Sequence, residues 1–140
     1  MTPDDRELRR AFYHANHKYF RGRLPTPRLF WQRLPQTYAE YEAPRARGRG
    51  AIYVNPRLQP PAASGGWRGL LLHEMVHLAV DLTNVDEFDH GSVAWHGPVF
   101  TRECNRIGRV LGIPDTNEED SWAWPWGAFD PDDLEPTADE

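Results

Sequence analysis

The feature that most constrains the fold of this chain is the segment LLLHEMVHLAVD at residues 70–81, where two histidines and a glutamate interrupt its most apolar stretch. On an α-helix, His73 and His77 are about one turn apart and project from the same face. Two imidazoles at this spacing can bind one metal ion. Glu74 is rotated by about 100° from His73 around the helix, which places its carboxylate beside the metal rather than on it. The segment therefore predicts a helix that carries a metal site.

The spacing of these three residues is the H-E-x-x-H pattern of zinc hydrolases, in which the glutamate takes a proton from a metal-activated water. The alternative is a pair of core histidines with satisfied hydrogen bonds beside a surface glutamate. Three ionisable groups on a buried helix are costly without a metal or polar partners, so the pattern favours the metal site. A catalytic zinc ion has three protein ligands and keeps a fourth position open for water, so a third ligand has to come from elsewhere in the chain.

Several residues after the motif have side chains that could supply this third ligand: Asp81, Glu87, His90, His96 and Glu103. Asp81 follows His77 by one turn, but a helix cannot easily present three consecutive turns to one ion, so we expect it to support the site from outside. His90 lies within an acidic loop. His96 directly precedes a helix that begins near Pro98, which would hold its backbone in place, so we favour His96.

Hydrophobic periodicity and breaker residues predict an α+β fold. An amphipathic helix is expected over residues 3–20, the motif helix over residues 65–82, and a third helix from Pro98 to Gly112. Three short strands are expected between the first two helices, at residues 28–34, 36–43 and 51–56. Because these strands are close together in the sequence, we expect them to form a small antiparallel sheet.

Length and composition predict one domain with a tail. The chain has 140 residues, enough to bury a core without disulfides, and its single cysteine, Cys104, favours a reducing compartment. The first residues contain no apolar signal segment, and no apolar stretch approaches the roughly 20 residues of a membrane-spanning helix. We therefore expect a cytoplasmic protein with a domain at residues 1–114 and an acidic, tryptophan-rich tail at residues 115–140.

The tail contains four large aromatic residues among ten acidic residues and no basic ones: Trp122, Trp124, Trp126 and Phe129. Large aromatic side chains are usually buried to a high degree, so we expect the tail to pack against the domain as a C-terminal arm. The alternative is a docking or self-inhibiting segment that lies near the cleft or the basic half of the chain.

The two halves of the chain carry opposite charge. Residues 1–69 have 13 basic and 5 acidic side chains, whereas residues 70–140 have 3 basic and 16 acidic side chains. Arginine-rich turns such as RARGRG at residues 45–50 could contact nucleic-acid phosphates without sequence preference. The two halves could instead neutralise each other across the fold. A DNA contact through the basic N-terminal half and internal charge compensation are both consistent with this pattern.

The sequence resembles the SprT-like (Spartan-type) zinc metallopeptidase domain over residues of about 5–114. The segment HEMVH is followed by HGPVF at residues 96–100. Three further segments are similar to the family's opening helix and turn, to its strand ending in Asn-Pro and to its closing helix: FYHANHKYFRGRLPTPRLFW at 12–31, GAIYVNPRL at 50–58 and FTRECNRIGRVLGI at 100–113.

This resemblance implies a minimal zincin-like metallopeptidase fold with one bound Zn²⁺, and it selects His96 over His90. Carried over to this chain, the metal ligands are His73, His77 and His96, and the general base is Glu74. The implied function is a zinc-dependent endopeptidase that hydrolyses peptide bonds with a metal-activated water. DNA-associated or crosslinked proteins are the implied candidate substrates.

A protein or peptide substrate is expected to pair with the sheet as an added strand, through the strand that contains Ile52 and Val54. Tyr53 and Arg68 are candidates for stabilising the oxyanion. Two other classes of function remain open. One is a DNA-associated binding protein in which the metal fold is a scaffold. The other is a structural zinc protein whose water position is filled by a fourth ligand, such as Glu87, Asp89 or His90.

Overall fold

Three helices and three strands form in the part of the chain that the computed structural model describes, which comprises residues 5–34, 38–44, 49–55, 66–83, 96–121 and 124–125. The helices are α1 (Asp5–Phe20), α2 (Gly66–Thr83) and α3 (Pro98–Leu111). The strands are β1 (Arg28–Trp31), β2 (Ala39–Glu42) and β3 (Ala51–Val54). The α+β class and the expected elements are confirmed, with shorter strands than the sequence predicts.

The sheet is mixed, so the prediction of an antiparallel sheet is wrong. The strand order is β1-β3-β2, with β3 parallel to β1 and antiparallel to β2. Sequence proximity favours a hairpin between β1 and β2, but the strand order follows the burial of the strands instead. Three of the four residues of β3 are buried, whereas β1 alternates between exposed and partly buried residues. The most apolar strand therefore occupies the centre, where both of its edges are hydrogen-bonded and its faces are covered.

The central position of β3 also overturns the expected substrate strand. Ile52 and Val54 lie on β3, whose two edges already pair with β1 and β2. A strand with both edges paired has no backbone groups left for an added peptide. Within the described sheet, only β1 and β2 have an open edge.

The core surrounds α2, which contacts α1, α3, β2 and β3. Every residue from 70 to 80 is buried, so α2 has no solvent-exposed face over three turns. The apolar stripes expected on the neighbouring helices are buried as well, with Leu8, Phe12 and Tyr19 on α1 and Phe100, Cys104 and Ile107 on α3. No described helix combines the length and apolar character that crossing a membrane requires.

The start of α3 is fixed locally by its sequence. Gly97 is its N-cap and Pro98 follows at the first helical position, where the missing N–H group of proline costs nothing. The Thr101 hydroxyl donates a hydrogen bond of 2.9 Å to the Gly97 carbonyl. At the other end, Gly112 adopts a left-handed conformation with φ of 74° and ends the helix as predicted. The residue before Gly97 is His96, so this cap also positions a candidate ligand.

Candidate metal centre

Three histidines converge at the contact between α2 and α3. His73 and His77 come from α2, and His96 directly precedes the cap of α3. The Nε2 atom of His96 lies 3.1 Å from the Nε2 atom of His73 and 3.2 Å from that of His77. One ring nitrogen of each residue lies within 4.8 Å of the others. The described residues thus present three imidazole nitrogens to one point.

The phenyl ring of Phe100 packs against all three imidazoles. Its centroid lies 5.1 Å from that of His73, 4.5 Å from that of His77 and 4.7 Å from that of His96. Phe100 is on α3, one turn after His96, and its side chain is fully buried. It therefore forms an apolar support that limits the rotation of the rings and keeps water from one side of the cluster.

The imidazole of His73 is oriented by a backbone group far away in the sequence. Its Nδ1 atom lies 2.6 Å from the carbonyl oxygen of Trp124, in a buried hydrogen bond. A carbonyl oxygen can only accept, so the proton of the neutral ring is on Nδ1 and the lone pair is on Nε2. That lone pair faces the other two histidines, which is the arrangement that a ligating histidine adopts.

Burial keeps the three rings neutral at physiological pH. It lowers the pKa of His73 to about 3, with a further contribution from His96, although the Trp124 carbonyl opposes this change. Burial also lowers the pKa of His96 to about 4. The pKa of His77 is held well below its usual range by burial and by the two other histidines. Neutral imidazole is the form that binds metal, so no proton has to be displaced near neutral pH.

The distances between the nitrogens fit a small divalent cation. With metal–nitrogen bonds of about 2.0–2.1 Å, two ligands of a tetrahedral ion are about 3.3–3.4 Å apart, close to the two distances seen here. A cation at the point where the three nitrogens converge would accept a lone pair from each of them. Imidazole suits zinc, copper, iron and nickel better than magnesium or calcium. The donor set therefore fits a first-row transition metal.

Glu74 is buried beside this cluster, with only 6% of its surface exposed. Burial, followed by the charge of Glu40 on β2, raises the pKa of its carboxyl to about 8. Such a carboxyl can hold or release a proton near neutral pH, as a general base requires. A cation in the histidine cluster would favour the ionised form and lower this pKa.

The other candidate ligands do not join the histidine cluster in the part of the chain that the structure describes. Asp81, at the end of α2, accepts a hydrogen bond of 2.7 Å from the Tyr41 hydroxyl on β2. Glu103 forms an ion pair with Arg106 on the surface of α3. Glu87 and His90 lie outside the described residues. The metal-binding group found among the described residues consists of the three histidines alone.

The two residues suggested for the oxyanion have other contacts. The Tyr53 hydroxyl lies 3.5 Å from a carboxylate oxygen of Glu42, and the guanidinium of Arg68 lies 4.4 Å from the ring centroid of Trp67.

Sequence reasoning placed Phe100 in the core but did not relate it to the histidines. No sequence pattern could have indicated the Trp124 carbonyl, because every residue has a backbone carbonyl.

Two comparisons relate this chain to known proteins. The model of the SprT-like family matches residues 8–119, which include the three histidines and Glu74. The bovine protein named DNA-dependent metalloprotease SPRTN is 32% identical over 118 residues. That alignment covers 79% of this chain but 22% of the relative, so the chain spans about a fifth of the relative's length.

Proposed function

This chain belongs to the SprT-like family, and we propose that it is a zinc-dependent endopeptidase of zincin-like fold. In this proposal His73, His77 and His96 bind one Zn²⁺ ion and Glu74 is the general base. The observation that carries the proposal is the convergence of three neutral imidazoles at Nε2–Nε2 distances of 3.1 and 3.2 Å, next to a buried carboxyl. The relative's name, a metalloprotease, supports the same activity.

Zinc bound by these imidazoles would supply Lewis acidity, which polarises a scissile carbonyl and lowers the pKa of water. The residues of the chain do the rest. The carboxylate of Glu74 accepts a proton from the attacking water and returns it to the nitrogen of the leaving amine. Phe100 shields the opposite side of the rings from solvent, which strengthens electrostatic interactions within the site.

The substrate strand is proposed to pair with β2, because its outer edge is open within the described sheet. Strand β2 also contacts α2, and Glu40 on β2 acts electrostatically on Glu74. A peptide added at this edge would therefore run close to the general base. Main-chain hydrogen bonds to β2 would bind extended or unfolded segments with little regard to their sequence.

Contact with DNA is a further part of the proposal. The relative is named as DNA-dependent, and the N-terminal half of this chain has an excess of eight positive charges. Several arginines of that half are exposed, among them Arg9 and Arg10 on α1 and Arg23 after it. Proteins bound or crosslinked to DNA are therefore the proposed substrates.

The proposed domain covers residues 1–114, with residues 115–140 as its tail, and the proposed location is the cytoplasm.

The general-base assignment is tested with Glu74→Gln, which keeps the size of the side chain and removes its basicity. We expect the variant to retain one zinc ion per chain by elemental analysis and to lose hydrolysis of an unfolded protein by at least about 100-fold. Assays of the wild type with and without DNA, and with a chelator, measure how far hydrolysis depends on DNA and on the metal. Full activity of the zinc-loaded variant would show that Glu74 is not the base.

A structural zinc site is the alternative, and coordination separates it from a catalytic one. A closed site has four protein ligands, whereas a catalytic site has three and a water. X-ray absorption of the zinc-loaded protein should then show three imidazoles and one exchangeable oxygen. A fourth protein ligand from the undescribed residues Glu87, Asp89 or His90 would instead indicate a structural role.

A further inference from the structure

We propose that Trp124 and Ser121, which lie beyond the family match, position the metal centre. The backbone carbonyl of Trp124 holds the His73 imidazole in the orientation and tautomer that ligation requires, and the Trp124 indole anchors this carbonyl. The inference rests on the proposed zinc site and adds a part of the chain that neither the motif nor the family match includes.

The hydrogen bond between His73 and Trp124 is well suited to this role. Its length of 2.6 Å is short, and both residues are 4% exposed, so water does not compete for either group. A histidine that donates its Nδ1 proton to a fixed acceptor presents Nε2 to the metal without having to change tautomer. Losing such a partner typically weakens metal binding by about 10–100-fold.

The indole of Trp124 fixes the position of the carbonyl. It belongs to the main hydrophobic core and packs against α3 at Gly108, where a β-carbon would come within 3.6 Å of the indole nitrogen and 3.2 Å of Ile113. The indole nitrogen has no hydrogen-bond partner among the described residues. The side chain therefore acts here as an apolar anchor, and its N–H group adds nothing to the attachment.

Ser121 also contacts the third histidine. The backbone N–H of Trp124 donates to the Ser121 carbonyl at 3.0 Å, which ties the two residues together. The hydroxyl of Ser121 lies 3.0 Å from the Glu118 carbonyl and 3.4 Å from the His96 carbonyl. Ser121 is fully buried. Trp124 thus contacts the ring of His73, and Ser121, bonded to Trp124, contacts the backbone of His96.

The experiment compares zinc affinity in full-length variants by competition with a chromophoric chelator. Trp124→Ala removes the anchor and should weaken zinc binding by about 10–100-fold. Trp124→Phe keeps an aromatic anchor and should restore affinity to within about threefold of the wild type, because no hydrogen bond of the indole is lost. The matched control is Trp67→Ala, since Trp67 on α2 packs against Trp31 rather than a histidine. It should leave zinc affinity unchanged.

A spectroscopic measurement keeps the test valid if Trp124→Ala does not fold. In zinc-loaded wild type, nitrogen-15 NMR of the imidazoles should show a slowly exchanging proton on Nδ1 of His73 and the metal on Nε2. A proton on Nε2 with the metal on Nδ1 would overturn the inference. So would a folded Trp124→Ala variant with wild-type zinc affinity. If the wild type itself does not bind zinc through the histidines, the proposed function fails and this inference fails with it.

Discussion

At the residue scale, the site depends on ionisable side chains whose pKa values are shifted in opposite directions by the same burial. The three histidines are kept neutral, because their pKa values are lowered. Glu74 tends to stay protonated, because its pKa is raised to about 8. Both shifts mean that these groups stay neutral in the metal-free site, and a cation held by the three imidazoles would bind the folded state and not the unfolded chain. The metal-free protein should therefore be less stable than the zinc-loaded protein.

The Glu74 shift leads to a pH-dependent prediction for the metal-free protein. The folded state holds a proton on Glu74 up to about pH 8, whereas the unfolded state releases it near pH 4.5. The free energy of unfolding should thus fall as pH rises between these values, by about 1.4 kcal/mol per pH unit from this group. Between pH 6.5 and pH 8, the free energy of unfolding of Glu74→Gln should therefore rise by about 2 kcal/mol relative to that of the wild type.

Urea denaturation in chelator at these two pH values measures the difference. The histidines contribute a pH dependence of the opposite sign. Because their pKa values are lowered in the folded state, the free energy of unfolding decreases as pH falls below about 6.5. The histidines of the unfolded chain still titrate at the lower end of this window, but wild type and variant share them, so their contribution cancels in the difference between the two proteins. A stability difference between variant and wild type that is equal at both pH values would contradict the burial effect.

At the scale of elements, α2 is held against the sheet by a polar contact as well as by apolar packing. The Tyr41 hydroxyl on β2 donates to Asp81 at the end of α2 over 2.7 Å. Tyr41 is buried, and burial together with Asp81 raises the pKa of its hydroxyl. This contact fixes the helix that carries two candidate ligands relative to the strand proposed to bind substrate.

Tyr41→Phe removes the hydroxyl group that donates a hydrogen bond to the Asp81 carboxylate. We expect a loss of about 1–3 kcal/mol in the free energy of unfolding, because a partly buried carboxylate loses a hydrogen bond. The control is Tyr13→Phe on α1, where the tyrosine is 54% exposed. That variant should change stability by less than about 0.5 kcal/mol in the same urea titration. Equal effects of the two substitutions would show that the contact does not couple α2 to the sheet.

At the scale of the whole molecule, charge is divided between the halves of the chain. The net charge of −5 hides a basic N-terminal half and an acidic C-terminal half. Some of the described ion pairs join opposite charges within α3, as for Arg106 with Glu103, or between the two outer strands, as for Arg28 on β1 with Glu42 on β2. Exposed arginines on α1 remain accessible to a polyanion, which is the basis of the proposed DNA contact.

Charge reversal on α1 tests that contact. Arg9→Glu should weaken binding to DNA and reduce the dependence of log affinity on log salt concentration by about one unit, if Arg9 contacts a phosphate. The control is Arg102→Glu, which alters an equally charged, exposed arginine on α3 in the acidic half. Fluorescence anisotropy at several salt concentrations measures both. Identical salt dependence in the wild type and both variants would exclude a role for this face of α1.

Local sequence determined the parts of this protein that depend on neighbouring residues. Helical periodicity is short-range, so the spacing of His73 and His77 and the start of α3 at Pro98 could be predicted from the sequence alone. The same holds for the buried stripe of α3. The position of His96 before α3 favoured it as the third ligand, the family resemblance selected it over His90, and in the structure it lies with the other two histidines.

Tertiary structure decided the rest. The central position of β3 depends on competition between strands for burial, which their order in the chain does not encode. Phe100 faces the imidazoles only because α3 packs on α2. The partner of His73 is a backbone carbonyl 51 residues away, and a carbonyl carries no residue identity that a sequence pattern could reveal. Contacts of this kind arise only once the chain has folded.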